Sequence, residues 1–150
     1  MKYSESIEVN LPRDQVAALL KGPANMPGWQ KGFVAMEQLS GAPGEAGSIA
    51  KLDYAFGKRT MSMTETLVSA NWPESWVATY EAGGVWNRQE NRLVEVSADV
   101  TRWESDCEFQ FSGIPMKIMG WLMPGAFRKQ TRAYLADFKV FAETCETASA

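Results

Sequence analysis

The segment Arg59-Thr60-Met61-Ser62-Met63-Thr64-Glu65-Thr66-Leu67-Val68 alternates with a period of two. As a β-strand it sends Thr60, Ser62, Thr64 and Thr66 to one face, and Met61, Met63, Glu65 and Leu67 to the other. A carboxylate on an apolar face must be neutralised, paired or kept near water, because burying it alone is costly. A dry carboxyl also titrates at higher pH, which is what a general acid or base needs. Glu65 is therefore the foremost chemical candidate. Three roles stand open to it: a hydrogen-bonded structural glutamate, an anchor for a ligand, or a proton-transfer group.

Other polar side chains fall on apolar faces by the same reading. Tyr54 aligns with Leu52 and Phe56, and Tyr80 with Trp76. Asn87, Gln89 and Asn91 alternate towards Leu93, and Thr101 and Ser105 flank Trp103. Each can bond a ligand carbonyl or hydroxyl, or equally a neighbouring backbone group. Trp76, Trp86 and Trp103 read first as core residues.

Much chemistry is excluded. The chain has no histidine, which removes Ser-His-Asp and Cys-His catalysis and the usual zinc and non-haem iron ligand sets. Its two cysteines, Cys107 and Cys145, read as a buried and a terminal thiol rather than a bridge. Glu104, Asp106 and Glu108 resemble a metal comb, but same-face neighbours on a strand stand about 6.6 Å apart. They also oppose Trp103 and Phe109, so a solvated acidic stripe is expected. Arg128, Lys129 and Arg132 are likewise expected to face solvent. No Walker loop, GxGxxG after a strand or GxSxG elbow occurs, and neither a metal nor a cofactor is expected.

Fifteen basic against 18 acidic residues give a net charge of −3, so no basic field recruits nucleic acid. The opening MKYSESIEVN has no apolar run behind its lysine. No apolar run approaches the roughly 20 residues that span a bilayer. A cytoplasmic protein of 150 residues, large enough for its own core, is the expectation.

The elements that position these residues follow from punctuation and period. Residues 3–10 alternate as a strand. Pro12 opens a short helix carrying Val16, Ala17, Leu19 and Leu20, and Gly22-Pro23 ends it. A second short helix over 25–30 is anchored by Trp29. Strands are predicted over 33–40, 48–56, 59–68, 75–82, 87–96 and 100–111, joined mainly by tight turns rich in Gly, Asn and Pro. Beyond Ser112-Gly113 the period lengthens. Met116, Met119, Gly120, Met123, Phe127, Tyr134, Phe138 and Phe141 recur at three- and four-residue steps. Pro124-Gly125 interrupts them, so a main helix over about 124–143 is predicted, with a frayed tail.

Consecutive hairpins make an antiparallel sheet with one apolar face, and only the C-terminal helix is long enough to cover it. The fold class is thus α+β: a curved sheet of about seven strands gripping a long C-terminal helix, with two short helices after the first strand. This order, with LPRDQVAALL, Trp29 before GFVAMEQLSGAPGEAGS, TETLVSANWPESWVATYEAGG, TRWESDCEF and FRKQTRAYLADFKVFAE, resembles the START-like or SRPBCC superfamily. That superfamily has the helix-grip fold and includes the birch pollen allergens, polyketide cyclases and lipid-transfer domains. The chain looks most like its bacterial members without an assigned reaction, as one domain over residues 3–145.

The resemblance implies a cavity between sheet and helix. Met61, Met63, Met116, Met119 and Met123 then converge on a deformable wall. The candidate ligand-binding residues are Tyr54, Met61, Met63, Glu65, Tyr80, Asn91, Trp103, Met119, Met123, Phe127 and Tyr134, with Glu65 also the catalytic candidate. The expected partner is a hydrophobic small molecule: lipid-, polyketide- or aromatic-like. The alternative is a polyketide cyclase or dehydratase type of enzyme using Glu65 and a cavity tyrosine. A partner-binding module is a third class, for which Trp72, Val85 and Trp86 in loops are the hints.

Overall fold

A computed structural model describes residues 1–113 and 124–149. Strand β1 (Lys2–Val9) leads into helix α1 (Arg13–Lys21), a 3-10 turn (Pro23–Asn25) and helix α2 (Met26–Trp29). Then come β2 (Phe33–Ser40), β3 (Ile49–Phe56), β4 (Arg59–Asn71), β5 (Ser75–Ala82), β6 (Val85–Ser97) and β7 (Val100–Phe111), and last the helix α3 (Pro124–Ser149). The strands form one curved antiparallel sheet in the order β1-β7-β6-β5-β4-β3-β2. Every pairing except β1 with β7 joins sequence neighbours, as the tight turns demand. At the β5–β6 hairpin Gly83 and Gly84 both take positive φ, 51° and 83°. A two-residue turn that follows the strand twist needs that conformation at both positions, and glycine adopts it without strain.

One face of the sheet is the buried one, mostly apolar but with Asn87, Asn91, Thr101 and Ser105 among its buried residues. In β7 the residues alternate between buried and half-buried from Thr101 to Cys107, so Thr101, Trp103, Ser105 and Cys107 point inward. The main core joins Val9, Val16, Leu67, Trp76, Leu93, Trp103, Leu135, Phe138 and Ala142. A smaller cluster of Ala50, Leu52 and Tyr54 lies towards the β2 edge, packed by Met26, Phe33, Met36 and Met63, and Tyr80 touches both clusters. Phe138, fully buried, meets Trp29 edge-on at 5.2 Å and Trp103 at 5.3 Å. Helix α2 comes so near α3 that a Cβ on Gly28 would stand 2.5 Å from Phe141 Cε2.

Polar contacts fasten α3 along β1. Tyr3 Oη lies 2.7 Å from Thr131 Oγ1 and donates to the Phe127 carbonyl at 3.0 Å. Lys139 Nζ donates to the Glu8 carbonyl at 2.7 Å, and Glu143 accepts from the Asn10 amide at 3.0 Å. Glu5 shares the inward face of β1 with Tyr3 and Ile7, and its side chain is 11 % exposed. Arg128 and Arg132 both donate to it, Arg132 at 2.8 Å.

The helix differs from the sequence reading in two ways. It runs to Ser149 rather than ending near Glu143, because no glycine or proline follows to stop it and Ala and Glu propagate a helix well. Arg128 and Arg132 keep much of their surface in solvent but also clamp Glu5, a contact between chain ends that spacing cannot reveal. Pro124 is the first residue of α3, where a missing amide hydrogen costs nothing. Met116, Met119, Gly120 and Met123 lie outside the described residues. Among the described residues no helix is long and apolar enough to cross a membrane.

The packing of α3 gives a direct expectation. Phe138→Ala should cost about 3–5 kcal/mol of unfolding free energy, measured by urea denaturation. A loss within about 1 kcal/mol would mean that α3 does not seat its apolar face on the sheet.

Candidate ligand cavity

The register brings one row of residues across the sheet. Gln38 pairs with Ala50, Ala50 with Glu65, Glu65 with Tyr80, and Tyr80 with Asn87. Directly opposed residues share a face, so this row faces the helices together with Met63 and Leu67. Between sheet and helices the described residues border an open-mouthed cavity of about 380 Å³, a size that suits a small molecule. Its floor includes Ala50, Met63, Glu65, Leu67, Ala78, Tyr80 and Trp103, and its roof Met26, Trp29, Gln30, Phe127, Tyr134 and Leu135. Trp72, Trp76 and Gly44 line it as well. The short side chains of Ala50 and Ala78 lie between longer neighbours, so the floor is recessed there.

Its aromatic residues form a connected set. Trp72 and Trp76 stack at 4.7 Å, Trp76 meets Trp103 at 5.9 Å, and Trp29 stands edge-on to Tyr134 at 6.5 Å. Rings held this way give a broad, rigid apolar surface. Hydrogen bonds fix the polar groups among them. Tyr54 donates to Gln30 Oε1 at 2.6 Å, Trp72 Nε1 to the Gly44 carbonyl at 3.0 Å, and Gln89 Nε2 to Asn87 Oδ1 at 2.9 Å.

The electrostatics centre on Glu65. Burial raises the pKa of its carboxyl, and the hydrogen bond donated by the Tyr80 hydroxyl offsets only part of that rise. Burial, and then the Glu65 charge, hold the Tyr80 hydroxyl well above its usual pKa. Tyr54 is raised by burial, then by Tyr134 and Glu65, and Tyr134 chiefly by burial. All three tyrosines therefore stay protonated near neutral pH. Glu5 makes the useful contrast. Burial pushes it up too, but the Arg128 and Arg132 guanidiniums outweigh that and bring it below the usual carboxylate range. Both glutamates lie on the inward face of a strand. One has two cations, the other a phenol. Glu65 can thus accept a hydrogen bond when ionised, or donate one, or pass a proton, when protonated.

Of the residues picked out by sequence, Tyr54, Met61, Met63, Glu65, Tyr80, Trp103, Phe127 and Tyr134 line this cavity. Met61 stands at its outer end and is 36 % exposed. Asn91 is buried elsewhere, accepting from Trp103 Nε1 at 3.0 Å, and so orients a cavity ring from beside it. Met119 and Met123 lie outside the described residues. Gln30 and Gln38 also line the cavity without having been singled out, and so does Trp72, which the sequence offered only as a loop hint for a partner surface. Gln38 was hidden because β2 shifts register twice, between Phe33 and Ala35 and between Gln38 and Ser40, which scrambles its alternation. Among the described residues no group of His, Cys, Asp or Glu is placed to hold a metal ion. The acidic stripe on β7 is tied instead to arginines, with Arg92 bonding Glu104 at 3.2 Å and Asp106 at 2.8 Å.

The raised carboxyl has a pH signature. The folded state holds the Glu65 proton to higher pH than the unfolded chain does. Stability is therefore lost as pH rises from about 4.5 through the folded pKa. Glu65→Gln removes that loss, so its stability relative to wild type should improve as pH rises from about 4.5 and level off above the folded pKa, read by urea unfolding at each pH. A difference that does not vary with pH would show that Glu65 titrates normally.

No curated protein matches the sequence. Solved structures with the same fold include a conserved protein from Geobacillus kaustophilus, 14% identical with a TM-score of 0.78, covering 96% of each chain. The Zhui aromatase/cyclase from Streptomyces sp. R1128 is 15% identical at a TM-score of 0.73, over 95% of this chain and 93% of that one. Norcoclaurine synthase from Thalictrum flavum, solved in complex with dopamine and hydroxybenzaldehyde, is 15% identical at a TM-score of 0.72, over 98% of this chain and 87% of its own. The family model described as polyketide cyclase / dehydrase and lipid transport matches residues 1–143. The chain belongs to that family, within the SRPBCC superfamily its sequence resembles.

Proposed function

We propose that this protein binds a largely apolar, ring-containing small molecule between the sheet and helix α3. The observation that carries this reading is the cavity of about 380 Å³ walled by tryptophan, tyrosine and methionine around Glu65, the one acid among its described lining residues. Rigid aromatic walls favour planar rings, and the methionines adapt to an irregular outline. Polar groups lie among the apolar ones, Gln30, Gln38, Ser105 and Thr131 included, and such groups fix a ligand's orientation. The family description includes lipid transport, in keeping with a binder.

A second reading rests on one further feature, the raised carboxyl of Glu65 beside Tyr80. Such a carboxyl suits proton transfer at a bound carbonyl compound, in the manner of a cyclase or dehydratase. The Zhui aromatase/cyclase lends that reading some weight through its fold.

Two measurements separate the readings. A bound ring compound at about 100 times its Kd should stabilise the protein by about 2.7 kcal/mol, a rise in Tm of about 5–10 °C for a chain of this size. Native mass spectrometry of freshly purified protein should then reveal a retained small molecule. Absence of both effects across a panel of polycyclic and acyl compounds would sink the binding reading. If the protein is an enzyme, Glu65→Gln should lower turnover by about 10²–10⁴-fold while the Tm rise with substrate persists. A binder shows the Tm rise without turnover in either form.

A further inference from the structure

The row from Gln38 to Asn87 has a one-sided hydrogen-bond inventory. Gln38 Nε2 donates to the Ser40 carbonyl at 2.9 Å and to the Ile49 carbonyl at 3.2 Å. Those bonds fix which end of the amide is nitrogen, since the reverse would set an oxygen against two carbonyls. Gln38 Oε1 is then buried with no hydrogen-bond partner among the described residues. Further along, Tyr80 donates to Glu65. Asn87 Nδ2 donates to the Glu108 carbonyl at 3.0 Å, and Asn87 Oδ1 already accepts from Gln89. What the row leaves open at its β2–β4 end is acceptor capacity: Gln38 Oε1 and the remaining lone pairs of Glu65.

These two acceptors flank Ala50 in the register. Adjacent strands stand about 4.8 Å apart, so the two backbones are about 10 Å apart. Gln38, Ala50 and Glu65 all line the cavity, with the one methyl group between the two longer side chains.

We infer that the recess over Ala50 is a subsite for a ligand nitrogen bearing two hydrogens, a primary carboxamide or amine, which donates to Gln38 Oε1 and Glu65 together. The inference rests on the cavity reading above and names the polar head that the cavity selects. A buried acceptor left without a donor is destabilising, and the ligand nitrogen supplies the missing bond. A ligand carboxylate brings acceptors alone and meets a carboxyl there. Among the described lining residues the one cationic side chain is Lys21, exposed at the rim with its Nζ 5.9 Å from the Trp72 ring centroid.

Three probes of one shape test this: 2-naphthylacetamide, the methyl ketone in which CH₃ replaces NH₂, and 2-naphthylacetate, titrated calorimetrically into the full chain at about pH 7. The amide is expected to bind at least about tenfold tighter than the ketone, with the acetate weakest. Gln38→Met keeps the side-chain length and removes Oε1. It should erase most of the amide–ketone difference. Equal binding of amide and ketone, an acetate that binds best, or a preference that survives Gln38→Met would overturn the subsite while the cavity reading stands. No binding by any probe would overturn both. If Gln38→Met does not fold, the wild-type ranking of the three probes decides.

Discussion

A sheet of seven strands is about 29 Å across at 4.8 Å per interval, whereas a helix with its side chains covers about 10–12 Å. One long helix cannot roof such an apolar face. Here α3 is fastened along the β1 edge by Tyr3, Glu5, Glu8 and Asn10, and α2 packs beside it across Gly28. Among the described residues, the sheet beneath β3 to β5 is only partly roofed. The curvature of the sheet and the short side chains at Ala50 and Ala78 leave a cavity there. The cavity is a consequence of widths and of where the helix is anchored.

The same anchoring divides the two inward glutamates. Glu5 lies under α3, within reach of Arg128 and Arg132, and the two cations hold it ionised, with its pKa lowered. Glu65 lies on β4, three strands further from β1 than β7 in the sheet order, with Ala50 and Tyr80 directly opposite and no cation at either pairing. Identical side chains on similar strand faces thus acquire opposite shifts. The first closes the fold between its two ends. The second leaves a titratable group facing the space the helix does not fill.

Much of this was legible in the chain. Period-two alternation located the strands, and glycine- and proline-rich turns made them consecutive hairpins, which dictates the sheet order apart from β1. The inward placement of Glu65, Tyr54, Tyr80 and Trp103 followed from counting residues along regular strands. Counting failed where strands were irregular. The two shifts in β2 concealed Gln38, and Trp72 does lie in the turn after β4, but its indole bonds the distant Gly44 carbonyl and so lines the cavity. Asn91 had the right parity but is held by Trp103, which parity alone cannot distinguish from a lining position.

By itself the sequence determined the element order, the faces of the strands and the absence of histidine chemistry, because these depend only on local periodicity and composition. Only the tertiary structure decided which carboxylate met a cation, which amide oxygen was left unpaired and how much space stayed open. Those outcomes depend on side chains far apart in the chain arriving within a few ångströms of one another, and no local pattern encodes that distance.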